Sequence, residues 1–254
     1  MSRYISPVLY VLLMLVGCVA FISIAGVRVG VFEPLTGFFT LTLSVIASLV
    51  LSILAALSLC ICRKETNAAG KRFFSLVLVV SLVYGAMWVV FYLQKSGLPE
   101  INDITTDTIT PPVYLNVGFI RSSSDNSLSY NPAWASIQQK YYPDVKPLFS
   151  TETKVVVYSA VVSLIRDNGW DMVAQYPEVG VVEATARTPI FGFRDDVVIR
   201  ISTTIEGEIR VDMRSCSRIG RGDFGTNAKR IETFMSELSK ALAPQRQLNA
   251  KSIY

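Results

Sequence analysis

Three long apolar runs fill the first third of the chain, and beyond Lys95 they give way to short alternating or helical stripes separated by turns. Tyr4–Val27, Pro34–Cys62 and Phe73–Gln94 contain no Asp, Glu, Lys or Arg. Each can cross roughly 30 Å of hydrocarbon as a helix. The pattern therefore predicts a membrane region over residues 1–95, with transmembrane helices at about 8–27, 35–62 and 73–93. The second is long enough to require tilt.

Residues 96–254 read as a soluble domain. Its first part, 97–150, is rich in Pro, aromatic residues, Asn, Asp and Ser without a sustained period, which predicts an extended wrapping segment. A short helix is expected from Pro132 to Lys140, capped by Asn131. Between Thr153 and Asp167, Val155, Tyr158, Val162 and Ile165 recur at helical spacing, and Asn168-Gly169 supplies a stop. Four strands follow at about 171–176, 181–188, 197–205 and 208–219, the last two joined by a tight two-residue turn at Glu206-Gly207. On this pair Val197, Ile199, Ile201, Ile205, Ile209, Val211 and Met213 share the core face. The other face presents Arg200, Arg210, Asp212, Arg214, Cys216 and Arg218, joined by Glu183 and Arg187.

A closing helix, about Asp223–Ala243, carries one apolar stripe of Ile231, Phe234, Met235, Leu238 and Leu242. Residues 151–243 thus form a helix–sheet–helix core and 244–254 a tail. The fold class expected is α+β: three N-terminal transmembrane helices, then a soluble domain whose antiparallel sheet of about four strands is flanked by helices.

Composition fits this division. Of 254 residues, 51% are hydrophobic and 17% charged, with mean hydropathy +0.41. The net charge of +4 splits into +5 over residues 1–95 and −1 over 96–254, so the basic pI of 8.9 belongs to membrane flanks. A nucleic-acid partner is excluded on that ground, because a phosphate-binding surface concentrates its positive charge on the soluble part. The absence of His removes imidazole bases and His metal sites. Only Cys216 lies outside the apolar region, so the soluble part has no internal disulfide. No cofactor, metal or catalytic residue is assigned.

Arg63, Lys64, Lys71 and Arg72 crowd the second connection, and Arg3 lies on the same side, against Arg28 and Lys95 on the other. Positive flanks favour the cytoplasm. The expected location is a bacterial inner membrane, multi-pass, with the N-terminus cytoplasmic and the C-terminal domain periplasmic. No charge lies within a span, which argues against a transporter. Ser44, Ser48, Ser52 and Ala56, with Ser81 and Gly85, form small-residue seams for helix packing. Leu15-Val16-Gly17-Cys18 has the form of a lipoprotein cleavage box, but the apolar run continues beyond it, so a plain span is favoured over lipidation of Cys18.

Several blocks carry a family resemblance: Ile101-Asn102-Asp103-Ile104-Thr105-Thr106-Asp107 with Pro111-Pro112, Tyr142-Pro143-Asp144, Phe191 to Arg200, Arg214 to Gly220, and Asn227-Ala228-Lys229-Arg230-Ile231. Together they resemble the bacterial domain-of-unknown-function family numbered fourteen ninety-nine, over about Pro99 to Leu242. The resemblance implies no activity, so function must be argued from the residues.

Gly220-Arg221-Gly222-Asp223-Phe224-Gly225 matches G-x-G-x-x-G, yet no second parallel strand follows, which excludes a dinucleotide fold. Two readings remain for this turn: an anion site at the helix start, or a glycine-rich bend capped by Asp223 or Thr226. Charge also separates along the domain, net −3 over residues 96–152 and +3 over 208–230. Either Asp103 and Asp107 fold back onto the arginine face, or that face is a cationic pocket. Asp195-Asp196 are adjacent and point to opposite faces of a strand, a poor catalytic pair.

The leading expectation is a non-enzymatic, membrane-anchored envelope protein whose periplasmic domain binds an anionic small molecule or an envelope protein. Its binding residues would be Arg200, Arg214, Arg218, Gly220, Arg221, Gly222, Asn227 and Arg230, with Asp103, Asp107, Asp195 and Asp196 as structural or site carboxylates. The partner of the apolar helices is the lipid bilayer. The alternatives are a carboxylate-dependent hydrolase acting on an envelope substrate, and a structural subunit of a membrane complex.

Overall fold

A computed structural model describes residues 1–251, with side chains through Ala243; residues 252–254 of the expected tail lie outside the described residues. The chain forms two compact units, one built on Met1–Gly97 and the other beginning at Leu98.

The first unit holds α1 (Ser2–Arg28), α2 (Pro34–Ile61) and α3 (Ala68–Lys95), each long and apolar enough to cross a membrane. Pro34 opens α2 at its first position, where the missing N–H costs nothing. Asn67 caps α3 by accepting from the Gly70 N–H at 3.1 Å. The seam on α2 runs through Ser44, Ser48, Ser52, Ala55 and Ser58, all buried, so it drifts from a strict four-residue spacing and passes Ala55 in place of Ala56. That drift is the 3.6-residue period asserting itself. Each seam serine returns its hydroxyl to a carbonyl of its own helix, for example Ser48 Oγ to Val45 O at 2.8 Å and Ser81 Oγ to Val77 O at 2.6 Å. The seam is therefore satisfied without water. Ser44 and Tyr84 add a hydroxyl pair at 2.7 Å between α2 and α3. Cys18 sits within the continuous helix α1.

The second unit is an antiparallel sheet in the order β1-β6-β5-β4-β3, built from β1 (Asp103–Thr105), β3 (Asp171–Tyr176), β4 (Val181–Arg187), β5 (Arg194–Thr203) and β6 (Ile209–Ser217). A further strand, β2 (Leu148–Ser150), shares the β6 edge with β1, pairing its first half while β1 pairs its second. Helices α4 (Val117–Ile120), α5 (Trp134–Tyr141), α6 (Lys154–Asp167) and α7 (Thr226–Lys251) complete the unit. The four expected strands are present, and the wrapping segment supplies two more of three residues each. Helix α7 continues beyond the expected end at Ala243.

One sheet face packs against α6 and α7. Val197, Ile199 and Ile201 of β5 and Val211 and Met213 of β6 meet Val157, Val161 and Ile165 of α6 and Ile231, Phe234 and Leu238 of α7 in one core. Trp170 stacks on Phe234 with centroids 5.3 Å apart.

Three local expectations are corrected. The buried residues of α6 are Val157, Val161, Val162 and Ile165, so Val162 and Ile165 lie as expected, while Val155 is exposed and Tyr158 half-buried: the run Val155-Val156-Val157-Tyr158 is apolar at every position, so period alone cannot fix its phase. The β5–β6 connection is longer than two residues, because Thr204 still donates to Glu208 O at 2.8 Å and the loop is Ile205-Glu206-Gly207. Gly207 takes φ 87°, the left-handed position of a three-residue hairpin, and Ile205 leaves the core for a fully exposed tip. Helix α5 begins at Trp134, after an Asn131-Pro132-Ala133 turn in which Asn131 Oδ1 accepts from Ala133 N at 3.1 Å.

Candidate functional site

The face of β4–β6 turned away from α6 and α7 carries the charged residues, and the wrapping segment covers it. Arg214, in the middle of β6, lies opposite Thr105 of β1 and meets Asp103 in a two-point grip, Nε to Oδ1 at 2.9 Å and Nη2 to Oδ2 at 2.6 Å. It also donates to the carbonyls of Pro112 at 3.1 Å and Leu128 at 2.6 Å, and its guanidinium lies over the rings of Tyr114 and Tyr130, 5.1 and 5.6 Å from their centroids. Both side chains are almost fully buried. Burial lifts the Asp103 carboxyl above its ordinary range, while Asp103 holds Arg214 charged against the same burial.

Asp107 reaches Arg200 at 3.0 Å and Arg210 at 3.1 Å, and both arginines also hold Asp212, whose Oδ1 accepts from Thr106 Oγ1 at 2.9 Å. Burial works against the Asp107 charge, but hydrogen bonds from Thr110, Ile109 and Arg200 outweigh it and draw its pKa down. At the other end Asp196 is gripped by Arg218, with Nε and Nη2 at 3.0 and 2.9 Å, and by Arg121 Nε at 2.7 Å, while Thr185 donates at 2.7 Å. Glu183, wholly buried on β4, accepts the backbone N–H groups of Leu115, Asn116 and Val117, pinning the strap to the sheet.

The layer is thus balanced: Asp103, Asp107, Asp196, Asp212 and Glu183 stand against Arg121, Arg200, Arg210, Arg214 and Arg218. Of the two readings of the charge separation, the geometry is that of internal pairing. Only Arg200 and Arg210 retain part exposure, at 28% and 32%. Cys216 lies in this layer with its thiol pushed up to about 12, first by burial and then by Asp103.

Asp195 faces the helix side, as adjacent strand residues must. It meets Arg230 Nη2 at 2.5 Å. Asn227 is the hub beside it: its Oδ1 accepts from Ser215 at 2.6 Å and from Arg230 at 2.5 Å, and its Nδ2 donates to Asn102 O at 3.1 Å and Ser217 Oγ at 2.9 Å. These contacts fasten α7 to β6 and to the residue preceding β1.

In the glycine-rich turn, Asp223 Oδ1 accepts from Gly225 N at 2.9 Å and Oδ2 from Asn227 N at 2.7 Å. The protein's own carboxylate occupies the start of α7. Burial raises the Asp223 pKa despite these N–H groups. Gly220 and Gly225 adopt φ 93° and 77°, and a Cβ on Gly222 would come 3.2 Å from Glu100 Cα, so the glycines serve the bend. Arg221 projects outward, 90% exposed, with Glu100 at 3.1 Å.

Nothing in the sequence assigns Gln138 a role, Arg121 enters it only as one charge of the acidic segment, and Tyr114 only as one of the aromatics that could line a groove or plug the core. Gln138 is buried on α5 and mimics a strand neighbour, exchanging two hydrogen bonds with the Thr105 backbone at 3.0 and 2.7 Å. Tyr114 donates to Asp196 O at 2.8 Å. Arg121 is the one arginine of residues 96–152, and that isolation was the available signal.

Among the described residues, no three His, Cys, Asp or Glu side chains come together in a group able to hold a metal. A groove of about 770 Å³ lies in the helical unit, walled by Leu13, Gly17, Phe21, Ser48, Ser81 and Tyr84, and is almost wholly apolar.

Comparison with curated proteins finds no match. A family model described as "Protein of unknown function (DUF1499)" matches residues 103–238, from the first residue of β1 to the core-facing Leu238 of α7. That stretch is more than half of the chain and contains Asp103, every arginine of the buried layer, and the Asn227–Arg230 hub. With three apolar helices preceding the matched region, the chain belongs to the DUF1499 family.

Proposed function

We propose that the protein is a non-enzymatic, membrane-anchored module that holds a preassembled α+β domain at a membrane surface, as a structural subunit of a membrane assembly. The observation that carries this reading is the mutual neutralisation of the buried layer. The carboxylates a hydrolase would need and the arginines an anion pocket would need are committed to one another. The anion position at the start of α7 is likewise filled by Asp223. Removing one partner from such a layer weakens the fold, because the surviving charge is left buried and unpaired.

The reading includes orientation. Basic residues between α2 and α3 favour a cytoplasmic N-terminus and a periplasmic domain in a bacterial inner membrane. Two measurements test it. Inorganic phosphate in excess should leave the melting temperature of the full chain in nanodiscs unchanged, because a ligand that binds only the folded state raises it. A rise of several degrees would restore the anion-pocket reading. Alkaline phosphatase fused after Tyr254 should be active, and activity instead from a reporter that works only in the cytoplasm overturns the orientation.

A further inference from the structure

The charged layer uses the inner side of the wrapping segment, and the stretch from Thr108 to Ile120 turns large apolar side chains outward. Phe119 is 87% exposed and Ile120 is 49% exposed, on the single turn of α4, within a run from Thr108 to Ile120 that carries no charge. Nothing loose in the fold explains them. The turn is anchored by buried Val117 and by the backbone N–H groups that Glu183 accepts.

Its place in the domain is fixed by β6. Ile120 O accepts from Arg218 Nη1 at 3.4 Å, and Arg218 N donates to Arg194 O at 3.0 Å. The same end of β6 receives the chain from α3: Asn102 Nδ2 donates to Gly220 O at 2.6 Å, and Leu98 already packs against the domain core. Only Ser96 and Gly97 separate Lys95, the last residue of α3, from Leu98, at most about 11 Å of extended chain. Also at this end are Phe224, 43% exposed and held at φ 54°, and the exposed cations Arg194 and Arg221, against Glu100, which pairs with Arg221, and Asp125, whose neighbour Asn126 donates to Gly220 O at 2.9 Å. Apolar prongs with a cationic fringe are the chemistry of an anionic bilayer surface, where rings bury among headgroups and guanidiniums meet phosphates.

We propose that Phe119, Ile120 and Phe224, with Arg194 and Arg221, form a lipid-facing contact by which the domain rests on the anionic bilayer that its own apolar helices enter. This rests on the membrane-anchored reading above and names the surface the domain engages.

The test is spin-label depth measurement on the full chain in nanodiscs of phosphatidylethanolamine and phosphatidylglycerol, with Cys18, Cys60 and Cys62 replaced and the inert Cys216 retained. Labels are placed singly through Phe119→Cys, Ile205→Cys and Val50→Cys. The oxygen-to-nickel accessibility ratio at 119 should exceed that at 205, the exposed apolar tip at the far end of β6, severalfold. Values at 119 and 205 that are equally aqueous overturn the proposal, and an immobilised label without gain in oxygen access overturns it in favour of a protein partner. Position 50, on the outer side of α2, separates the two levels: if it reports bilayer depth while 119 is aqueous, only this inference fails, and if it too is aqueous the anchor fails. In phosphatidylcholine alone the ratio at 119 should fall, and Arg221→Ser should lower it in the anionic membrane. Indifference to both overturns the cationic fringe.

Discussion

Replacing Asp103 by Asn tests the buried layer at its centre. The substitution keeps the shape and removes the charge, leaving an amide that presents N–H groups to the guanidinium it formerly gripped at 2.9 and 2.6 Å. Breaking a buried ion pair from one side costs about 3–5 kcal/mol, because the surviving charge loses its partner without regaining water. Arg214 keeps two carbonyl acceptors and two aromatic faces, so the lower end applies, about 3 kcal/mol. With a urea dependence of about 2 kcal/mol per molar, the unfolding midpoint should fall by about 1.5 M. Trp134 and Trp170 report the transition in a Trp88→Phe background, Trp170 through its stacking on Phe234. The paired change Asp103→Leu with Arg214→Met should recover part of the loss, giving a coupling of about 2 kcal/mol. A midpoint shift below about 0.3 M for Asp103→Asn would refute the claim that this pair holds the strap to the sheet.

Three further outcomes are expected. Asp107 has a depressed pKa in the fold, so the stability it contributes is present above its unfolded pKa and is lost as pH falls through its folded one; Asp107→Asn should flatten the acid limb of the urea midpoint against pH. Asp223, raised by burial, acts with the opposite sign: the fold binds its proton more tightly, so ionising it as pH rises lowers stability. Asp223→Ala leaves the Gly225 and Asn227 N–H groups without acceptors and should cost about 1–2 kcal/mol in the same urea assay; Asp223→Asn should cost less. Cys216, with its thiol near 12, should stay unmodified by maleimide at pH 8 in the folded protein and react once unfolded, as read by intact mass.

The architecture was legible where one physical signal dominated. Apolar runs gave three helices, the period of two on β5 and β6 gave their core face, and the sign change from residues 96–152 to 208–230 foretold which segment would meet which strand. Legibility failed where two signals overlapped or none was long enough. Four consecutive apolar residues at the start of α6 supply no phase, and Ile205 fits the alternation of β5 although the strand ends at Thr203 and a three-residue loop follows. Strands β1 and β2 are three residues each, too short to alternate visibly, and exist because β6 offers an edge. For the candidate site, sequence brought the right arginines and Asp103 together and left open whether that meeting was a pocket or a lock. Its outcome depended on Arg121, Tyr114 and Glu183, whose roles are set by a strap with no period to read.

The cations of the sheet carry a clue that alternation does not. Between Asp171 and Ile219 there are six arginines and no lysine. On a solvated face the two are nearly interchangeable, and a lysine can extend its ammonium into water along an apolar stem. Beneath a cover that route is closed, and the planar fork becomes the better group because its five N–H donors can be shared among carboxylates and carbonyls at once. Arg214 uses it in that way, on one carboxylate and two carbonyls, and Arg218 does the same with Asp196, Thr185 and Ile120. The gradient of burial agrees: Arg214 and Arg218 lie deep under the strap, Arg200 and Arg210 line its open rim, and Arg187, outside it, makes an exposed pair with Asp171. A strand face rich in arginine and free of lysine, in a chain with a matching acidic segment elsewhere, therefore reads as a covered face, and the polar half of an alternating strand is not by itself the half that meets water.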